Sequence, residues 1–249
     1  MLGTWILTTD PTIMELMCEA DLDFLAIDAE HGPASVETIQ TLLMVARGCN
    51  PLVMVRVAWN DHVLIKRVMD AGASAIIIPM VNTREEAQRA VAACRYPPTG
   101  SRGYGPRRPT HYGRRTEEWI NGGHEDVLSF VMIEQVAAVS NLDAILAVPG
   151  VDGIWLGASD LAASMGLLGK ADDPRVANAL RQVIKSARSA GVPVASYCGE
   201  DAATIAGWVE AGVQLVTASS DTDILRKAVD ETIMRVRHTF ASGGNDDQS

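Results

Sequence analysis

The chain has 249 residues, of which 47% are hydrophobic, and a formal net charge of -10. This length suits a single α/β barrel, although two smaller domains would also fit it. The acidic charge argues against nucleic acid and against an anionic membrane as partners, because phosphate groups require a basic surface. No apolar run approaches the roughly 20 residues that cross a bilayer, and the first residues lack the basic stretch of a signal peptide. We therefore expect a cytoplasmic protein.

Short apolar runs alternate with amphipathic helical stretches along the whole chain. The runs are apolar throughout, which is typical of parallel strands buried on both faces. The predicted strands are, in chain order, WILTT, FLAID, LVMVRV, AIIIPM, FVMIE, GIWLG, VPVAS and QLVTAS. The predicted helices are TIMELMCEA, VETIQTLLMVA, HVLIKRVMDAG, REEAQRAVAA, NLDAILAV, PRVANALRQVIKSARSAG, DAATIAGWVEAG and DILRKAVDETIMRVRHTF.

Three of these helices end in a glycine that leads into the next strand, in DAGA (70–73), SAGV (189–192) and EAGV (210–213). A glycine at this position lets a helix end in the left-handed conformation and turn back toward the sheet. Eight strand–helix units close most simply into a (β/α)₈ TIM barrel, which we predict as one domain over residues 1–241. A doubly wound open sheet is the alternative, but no G-x-G-x-x-G follows the first strand. Residues 242–249 are predicted to be a disordered tail.

The chemistry of such a barrel lies where the strands end. A single ionisable side chain there is more often an ion-pair partner than a catalyst. Many such groups around one barrel mouth would be costly to bury unless they pair with one another or bind a cation. The candidates are Asp28, Glu30 and His31 after the second strand, Arg56 on the third, Glu134 and Gln135 after the fifth, Ser159 and Asp160 after the sixth, and Asp221 after the eighth.

Two of these acids, Glu134 and Asp160, follow adjacent strands, so their carboxylates can converge. Hard oxygen ligands suit Mg²⁺ or Mn²⁺, with Co²⁺ as a further option, better than zinc. The alternative is a pair of helix-capping acids, with Asp160 capping a turn that begins at Leu161. The lysines (Lys66, Lys170, Lys185 and Lys227) are all predicted on helices or loops, which excludes a Schiff-base lysine inside the barrel.

Residues 95–115, RYPPTGSRGYGPRRPTHYGRR, form a basic exception in this acidic chain. The segment contains six arginines and His111 but no acid. It is interpreted either as a site for an anionic carboxylate or phosphate, or as a subunit interface that meets acids of a neighbour. The four cysteines are far apart and without metal-site spacing, so free thiols are expected.

Five segments resemble, in order, the motifs of one known family. They are DFLAIDAEHGP; VRV followed by LIKRVMDAGA, IIPMVNT and EEA; RYPP-x-G-x-RG-x-G; IE; and NLD-x-IL-x-V-x-GVDGI-x-LG-x-SDL. The family is the HpcH/HpaI class of metal-dependent pyruvate aldolases, and the resemblance spans about residues 2–235. Its best-known members cleave 4-hydroxy-2-oxo-heptanedioate and 2-keto-3-deoxy sugar acids. The motifs are specific for the family and weak for the substrate.

The resemblance implies a role for each matching residue. His31 is similar to a general acid/base that acts through a metal-bound water, with Asp28 orienting it. Arg56 is similar to the arginine that contacts the keto oxygen and stabilises the enolate. Glu134 and Asp160 resemble the metal ligands.

Other matches concern the substrate pocket. The backbone of Gly157, Ala158 and Ser159 resembles the segment that holds the pyruvate carboxylate, and Trp5 resembles a residue near the pocket. Glu30 is expected to make structural hydrogen bonds at the turn. Two departures from the common pattern are Met132, where many relatives have Gln, and Ala158, where proline is common.

The implied activity is a carbon–carbon lyase that joins or splits pyruvate, possibly supplied by oxaloacetate, and an aldehyde, giving a 4-hydroxy-2-oxo acid. The alternatives are an enzyme similar to citryl- or malyl-CoA lyases, a citrate-forming condensing enzyme of the same superfamily, and a barrel without catalytic activity. By the same resemblance we expect a homo-oligomer, namely a hexamer built as a trimer of dimers.

Overall fold

A closed parallel barrel forms the centre of the protein. The structure is a computed structural model that describes residues 1–243, with side chains up to residue 240. Each strand pairs with its neighbour in sequence, and β8 closes against β1, so the predicted (β/α)₈ architecture is confirmed. The strands are β1 (Leu2–Ile6), β2 (Phe24–Asp28), β3 (Leu52–Arg56), β4 (Ala75–Ile78), β5 (Leu128–Ile133), β6 (Gly153–Leu156), β7 (Val194–Tyr197) and β8 (Leu215–Ser220).

The helices lie outside the barrel and connect its strands. Apolar side chains of alternate strand positions face these helices, and the others fill the barrel interior. The helices are α1 (Pro11–Cys18), α2 (Val36–Val45), α3 (His62–Asp70), α4 (Arg84–Cys94), α5 (Thr116–Glu118), α6 (Val136–Ser140), α7 (Leu142–Leu146), α8 (Ala158–Ser164), α9 (Pro174–Ser189), α10 (Ala202–Ala211) and α11 (Asp221–Gly243), with a π-helical turn at Trp119–Gly123 after α5.

The barrel interior is packed mainly with aromatic and sulfur-containing side chains. Trp5, Phe24, Met54, Phe130 and Trp155 belong to this buried cluster. The rings of Trp5 and Trp155 lie 4.9 Å apart between centroids, and Trp155 meets Phe24 edge to face at 6.2 Å. This packing closes the barrel below the mouth, so ligands reach the strand ends from one side only.

The predicted first strand is shifted in the structure. It runs from Leu2 to Ile6 rather than over WILTT, because the next N–H groups leave the sheet. The N–H groups of Leu7 and Thr8 donate to the carboxylate of Asp221 at 2.9 Å each, and the Thr8 hydroxyl donates to the same carboxylate at 2.6 Å. Asp221 is 2% exposed and thus joins the first and last strands.

The helices differ from the prediction in several places. The predicted helix NLDAILAV (141–148) is the shorter helix α7, and a further short helix that was not predicted, α6, precedes it and ends at Ser140. Helix α5 and the π-helical turn after it were not predicted either. An additional helix, α8, begins directly after β6. Helix α11 continues to Gly243, past the predicted domain end at residue 241, and residues 244–249 of the predicted tail lie outside the described residues.

Several smaller predictions are confirmed. Gly72, Gly191 and Gly212 have φ values of 100°, 73° and 119°, as expected where a helix turns back to the sheet. The lysines lie on helices or loops, and the four cysteines are free. Within residues 1–243, no helix has both the length and the apolar character needed to span a bilayer.

Candidate active site

A cavity of about 340 Å³ opens at the carboxyl ends of the strands. Its lining includes every residue to which the resemblance gives a catalytic, metal-binding or substrate-binding role except Glu134, which is buried at 2% exposure. The other strand-end candidates Glu30, Gln135 and Asp221 do not line it. The fold thus brings together residues from β1, β2, β3, β5 and β6 that are far apart in sequence. The predicted residues that line it are Trp5, Asp28, His31, Arg56, Gly157, Ala158, Ser159 and Asp160.

Arg56 is held in one orientation by two partners. Its Nε and Nη2 donate to the two carboxylate oxygens of Asp28 at 2.9 and 2.7 Å. Its guanidinium carbon also lies 4.6 Å from the centroid of the Trp5 ring, a cation–π contact. Neighbouring strands create this arrangement because Asp28 and Arg56 pair directly in the β2–β3 register. The positive charge of Arg56 therefore has a fixed place at the barrel mouth.

Asp28 makes no hydrogen bond to the His31 ring among the described residues, so the orienting role that the resemblance implies stays a prediction. Its Oδ1 accepts from the main-chain N–H groups of Glu30 and His31 at 3.0 and 3.3 Å, and its remaining hydrogen bonds go to Arg56. Burial favours the neutral acid, but the Arg56 guanidinium and these N–H groups outweigh it, so the pKa of Asp28 lies below its usual value. Among the described residues, the Asp28 carboxylate is hydrogen-bonded to the main chain of the turn and to the Arg56 side chain, and not to the imidazole of His31.

His31 stands at the rim of the cavity with its side chain 63% exposed. Its Nε2 lies 3.8 Å from Oε2 of Glu30, which is the nearest acid recorded for the ring. The imidazole can therefore exchange protons with solvent and still reach the cavity. The turn places it there, because Asp28 binds the main-chain N–H of His31 itself.

Glu134 is positioned by main chain on one side and by close packing on the other. Its Oε1 accepts from the N–H of Met80 at 2.7 Å, and Met80 has the left-handed φ of 59° that is uncommon for a residue with a side chain. A Cβ on Gly157 would lie 2.6 Å from the Cβ of Glu134. Burial, followed by the nearby Glu30 and Asp160 carboxylates, raises the pKa of Glu134 to about 7 despite the Met80 hydrogen bond.

Glu30 forms one acidic group with Glu134 and Asp160. The sequence did not predict that Glu30 would join these two acids. Its Oε2 is 3.2 Å from Nη1 of Arg56, yet the geometry is not that of a hydrogen bond, and this buried oxygen has no hydrogen-bond partner among the described residues. Burial chiefly raises its pKa to about 6, and the Asp28 and Asp160 carboxylates add to the effect, whereas Arg56 opposes it. The expectation that Glu30 makes structural hydrogen bonds at the turn is wrong for this oxygen.

Asp160 lies on the exposed side of the mouth, as the third residue of α8. The alternative in which it caps a turn starting at Leu161 is wrong, because α8 begins at Ala158, with Gly157 in the N-cap position. No side chain caps this helix, which leaves main-chain N–H donors at its start. The charge of Asp160 acts on both Glu30 and Glu134.

The acidic group fits a divalent cation. The Asp160 carboxylate raises the pKa of both Glu30 and Glu134, Glu30 adds to the effect on Glu134, and one buried oxygen of Glu30 lacks a hydrogen-bond partner among the described residues. A cation would offset both costs. Among residues 1–243, no group of three or more His, Cys, Asp or Glu side chains is placed to enclose a metal. Mg²⁺ commonly takes only one or two carboxylates and leaves other positions to substrate and water.

Other side chains of the cavity were not predicted as site residues. Tyr197 at the end of β7, Ser220 at the end of β8 and Asp223 in the first turn of α11 also line the cavity. Met132 and Trp155 form the floor. The alternation of inward and outward positions on β5 and β6 could have identified the floor residues, since both strands follow it. No sequence motif marks the other three residues.

The barrel with a fixed arginine and clustered carboxylates at its mouth defines a class of α/β-barrel enzyme suited to an anionic small substrate and a divalent cation. A profile described as HpcH/HpaI aldolase/citrate lyase matches residues 1–228. The chain therefore belongs to the HpcH/HpaI aldolase/citrate lyase family, and the predicted resemblance is confirmed. Membership of this family makes it a carbon–carbon lyase.

Individual proteins show the same relationship. The chain is 36% identical over 227 residues to a 5-keto-4-deoxy-D-glucarate aldolase of Shigella sonnei, covering 91% of this chain and 88% of the relative. It is 36% identical over 239 residues to a hydroxypyruvate/pyruvate aldolase of Roseovarius nubinhibens, covering 95% and 92%. A crystal structure of a family protein from Burkholderia cenocepacia superimposes with a TM-score of 0.90 at 31% identity, covering 95% of this chain and 94% of that one.

Proposed function

We propose that the protein is a class II aldolase that forms or cleaves the bond between C3 of pyruvate and an aldehyde carbon, giving a 4-hydroxy-2-oxo acid. Oxaloacetate is an alternative source of the pyruvate enolate. The observation that carries the proposal is the fixed Arg56 guanidinium beside a group of carboxylates at the barrel mouth. The relatives named as aldolases of oxo acids support it.

Glu134 and Asp160 would hold the divalent cation, which we propose to be Mg²⁺, Mn²⁺ or Co²⁺. A cation bound there supplies Lewis acidity that favours removal of a proton from a 2-oxo acid. Glu30 lies close enough to influence both ligands electrostatically. Its unpaired oxygen could accept a hydrogen bond from water in the mouth.

The protein's own groups account for the remaining requirements. The substrate carboxylate is held by main-chain N–H groups at the start of α8, from Gly157 to Ser159, where no side chain competes. Arg56, immobilised by Asp28 and Trp5, stabilises the negative charge that develops on the enolate oxygen. The His31 imidazole holds or releases a proton at the rim.

Proton exchange at the methyl group of pyruvate tests this proposal without knowledge of the aldehyde. In D₂O, we expect NMR to detect deuterium incorporation with Mg²⁺ or Mn²⁺ and little after chelation. Glu134→Gln should reduce the exchange rate about 100-fold or more, because the cation loses a charged ligand. Glu210→Gln, a change of an exposed acid on α10, should retain the wild-type rate. Undiminished exchange in Glu134→Gln, or no exchange in the wild type with any of the three metals, would contradict the proposal.

We further propose that the protein acts as a homo-oligomer, a hexamer built as a trimer of dimers, in the cytoplasm. Helix α11 supports the oligomer, because it exposes large apolar side chains at helical spacing. These are Leu225, Val229, Ile233, Val236 and Phe240, with exposures between 45% and 77%. An apolar stripe of this length on a monomer surface indicates a surface for another chain.

A further inference from the structure

A second and larger cavity lies at the opposite end of the barrel from the catalytic mouth. Its volume is about 810 Å³, against about 340 Å³ at the mouth. It is lined by Leu52 at the start of β3, by Ser74 just before β4, by the loop after α2 and by the end of the basic segment 95–115. Because it lies at the amino ends of these strands, a ligand there would not meet the groups at the mouth.

The charge of this cavity is entirely positive. Arg47, Arg108, Arg114 and His111 line it, and its lining contains no Asp or Glu. Among the side chains that the structure describes, none of the three arginines has a carboxylate within ion-pair distance. In a chain of net charge -10, three unpaired arginines around one concavity are an exception that calls for an anion.

Three other arginines of the basic segment have internal partners. Arg95 pairs with Asp152 at 3.3 Å, Arg102 with Asp70 at 2.7 Å, and Arg115 with Glu118 at 3.8 Å. These three therefore stabilise the chain's own fold. The segment thus contains three structural arginines, two that line the cavity (Arg108 and Arg114), and the exposed Arg107, which does neither.

Arg108 is built into the cavity wall. Its Nη1 donates to the carbonyl of Ala71 at 2.9 Å and its Nη2 to the carbonyl of Leu43 at 2.5 Å. A Cβ on Gly72 would overlap Nη1, so the glycine makes room for the guanidinium. A guanidinium has five N–H donors, so these two bonds leave others for a ligand. Burial, together with the charge of Arg47, lowers the pKa of Arg108.

The loop around His111 is held in an unfavourable backbone conformation. His111 and Tyr112 have left-handed φ values of 51° and 58°, which are uncommon for residues with side chains. The N–H of Tyr112 donates to the carbonyl of Arg107 at 2.7 Å, and His111 Nδ1 lies 3.2 Å from Nη2 of Arg47. Strain of this kind persists where the surrounding structure enforces it and is frequent at binding sites.

We propose that this cavity binds a small organic anion that carries phosphate. Arginine guanidinium groups match phosphate oxygens in geometry and charge. The volume lies within the range of about 300–1,000 Å³ typical of sites for small molecules and exceeds the needs of a lone ion. The apolar wall of Leu43, Met44 and Pro51 accommodates the organic part of the ligand. Acids of a neighbouring copy are the competing occupant, and the test distinguishes the two.

Isothermal titration of the full-length protein with pyrophosphate, at constant ionic strength, tests the site. We expect saturable binding of one pyrophosphate per chain, and weaker binding of inorganic phosphate. Arg47→Gln and Arg114→Gln should each weaken pyrophosphate binding about tenfold or more through loss of one charged contact. Both arginines are exposed, so the melting temperature should change little. Arg107→Gln, a change of an exposed neighbour that does not line the cavity, is the matched control.

Three results would overturn the proposal: no saturable binding of pyrophosphate by the wild type, equal weakening by Arg107→Gln, or unchanged binding in both cavity variants. If pyrophosphate does not bind and Arg47→Gln and Arg114→Gln lower the oligomer mass, acids of a neighbouring copy occupy the cavity instead. The site does not depend on the proposed aldolase activity. Pyruvate methyl exchange, measured on the same samples, should therefore be unchanged in all three variants.

Discussion

The side chain of Glu134 is constrained more tightly than that of Asp160, the other predicted metal ligand. The Met80 N–H donates to one carboxylate oxygen of Glu134 at 2.7 Å, and the Cβ of Glu134 occupies space that a side chain on Gly157 would fill. Asp160, by contrast, is exposed at the start of α8. We therefore expect Glu134 to determine where the cation binds, and Asp160 to adjust to it.

Gly157→Ala should weaken metal binding without unfolding the protein. The added Cβ would lie 2.6 Å from the Cβ of Glu134 and 3.0 Å from its Oε2, so the carboxylate must move. Displacement of a metal ligand of this kind costs about 10–100-fold in affinity. Titration with Mn²⁺, followed by electron paramagnetic resonance, measures the effect.

Gly207→Ala is the matched control for that substitution. Gly207 lies within α10, and a Cβ there would meet no atom within 4 Å. Alanine favours a helix by up to about 1 kcal/mol over glycine, so this variant should bind Mn²⁺ normally and melt no lower than the wild type. Equal Mn²⁺ affinity in both variants would show that Gly157 does not position Glu134.

Helices α8 and α11 both contribute residues to the cavity at the barrel mouth. Helix α8 begins directly after β6 and places free N–H groups beside the carboxylates, whereas α11 begins with Asp221, which closes β8 onto β1. Beyond its first turn, α11 presents the apolar stripe to solvent. One helix therefore contributes both to barrel closure and to the proposed contact between subunits.

Ile233→Ser should lower the oligomeric mass. Ile233 lies in the middle of the exposed stripe at 46% exposure, and replacing it with serine removes most of its contribution to a buried contact, about 1.5–3 kcal/mol per interface. Sedimentation equilibrium at several concentrations measures the association. Glu231→Ser, two residues away on the opposite face of the helix, should leave the mass unchanged. A monomeric wild type would contradict the proposed assembly.

Across the whole molecule, the two ends of the barrel carry opposite charge. Carboxylates are concentrated at the catalytic mouth, and unpaired arginines lie at the amino end. The catalytic end carries groups with altered proton affinity. The stability of the protein should therefore depend on pH in a way that a divalent cation changes.

The free energy of unfolding of the metal-free protein should fall as pH rises from about 4.5 to about 7, through the contribution of Glu134. Its pKa is raised from 4.5 to about 7 in the folded state, so the folded protein binds more protons than the unfolded chain in this interval. A urea denaturation series over this range should show that slope in the wild type. The slope should be smaller in Glu134→Gln, which cannot titrate there.

A bound divalent cation should oppose this loss of stability at higher pH, because the cation and the proton compete for the Glu134 carboxylate. Saturating Mg²⁺ should raise the melting temperature more at pH 8 than at pH 5.5, and Glu134→Gln should abolish most of the difference. An equal rise at both pH values would show that protonation of Glu134 does not oppose metal binding.

The sequence alone determined the barrel, because an apolar run recurs in each of the eight units, a glycine ends three of the helices, and each of these signals is local. It also determined the candidates Arg56, Glu134 and Asp160, since the ends of adjacent parallel strands must converge. Only the tertiary structure decided the partners of those residues. Asp28 binds the Arg56 side chain because β2 and β3 pair in that register, and Glu30 joins the acids because the turn buries it beside Arg56. The basic cavity at the amino end of the barrel likewise exists only in the fold, since packing brings Arg47 and Arg114, which are distant in the chain, to the same cavity wall.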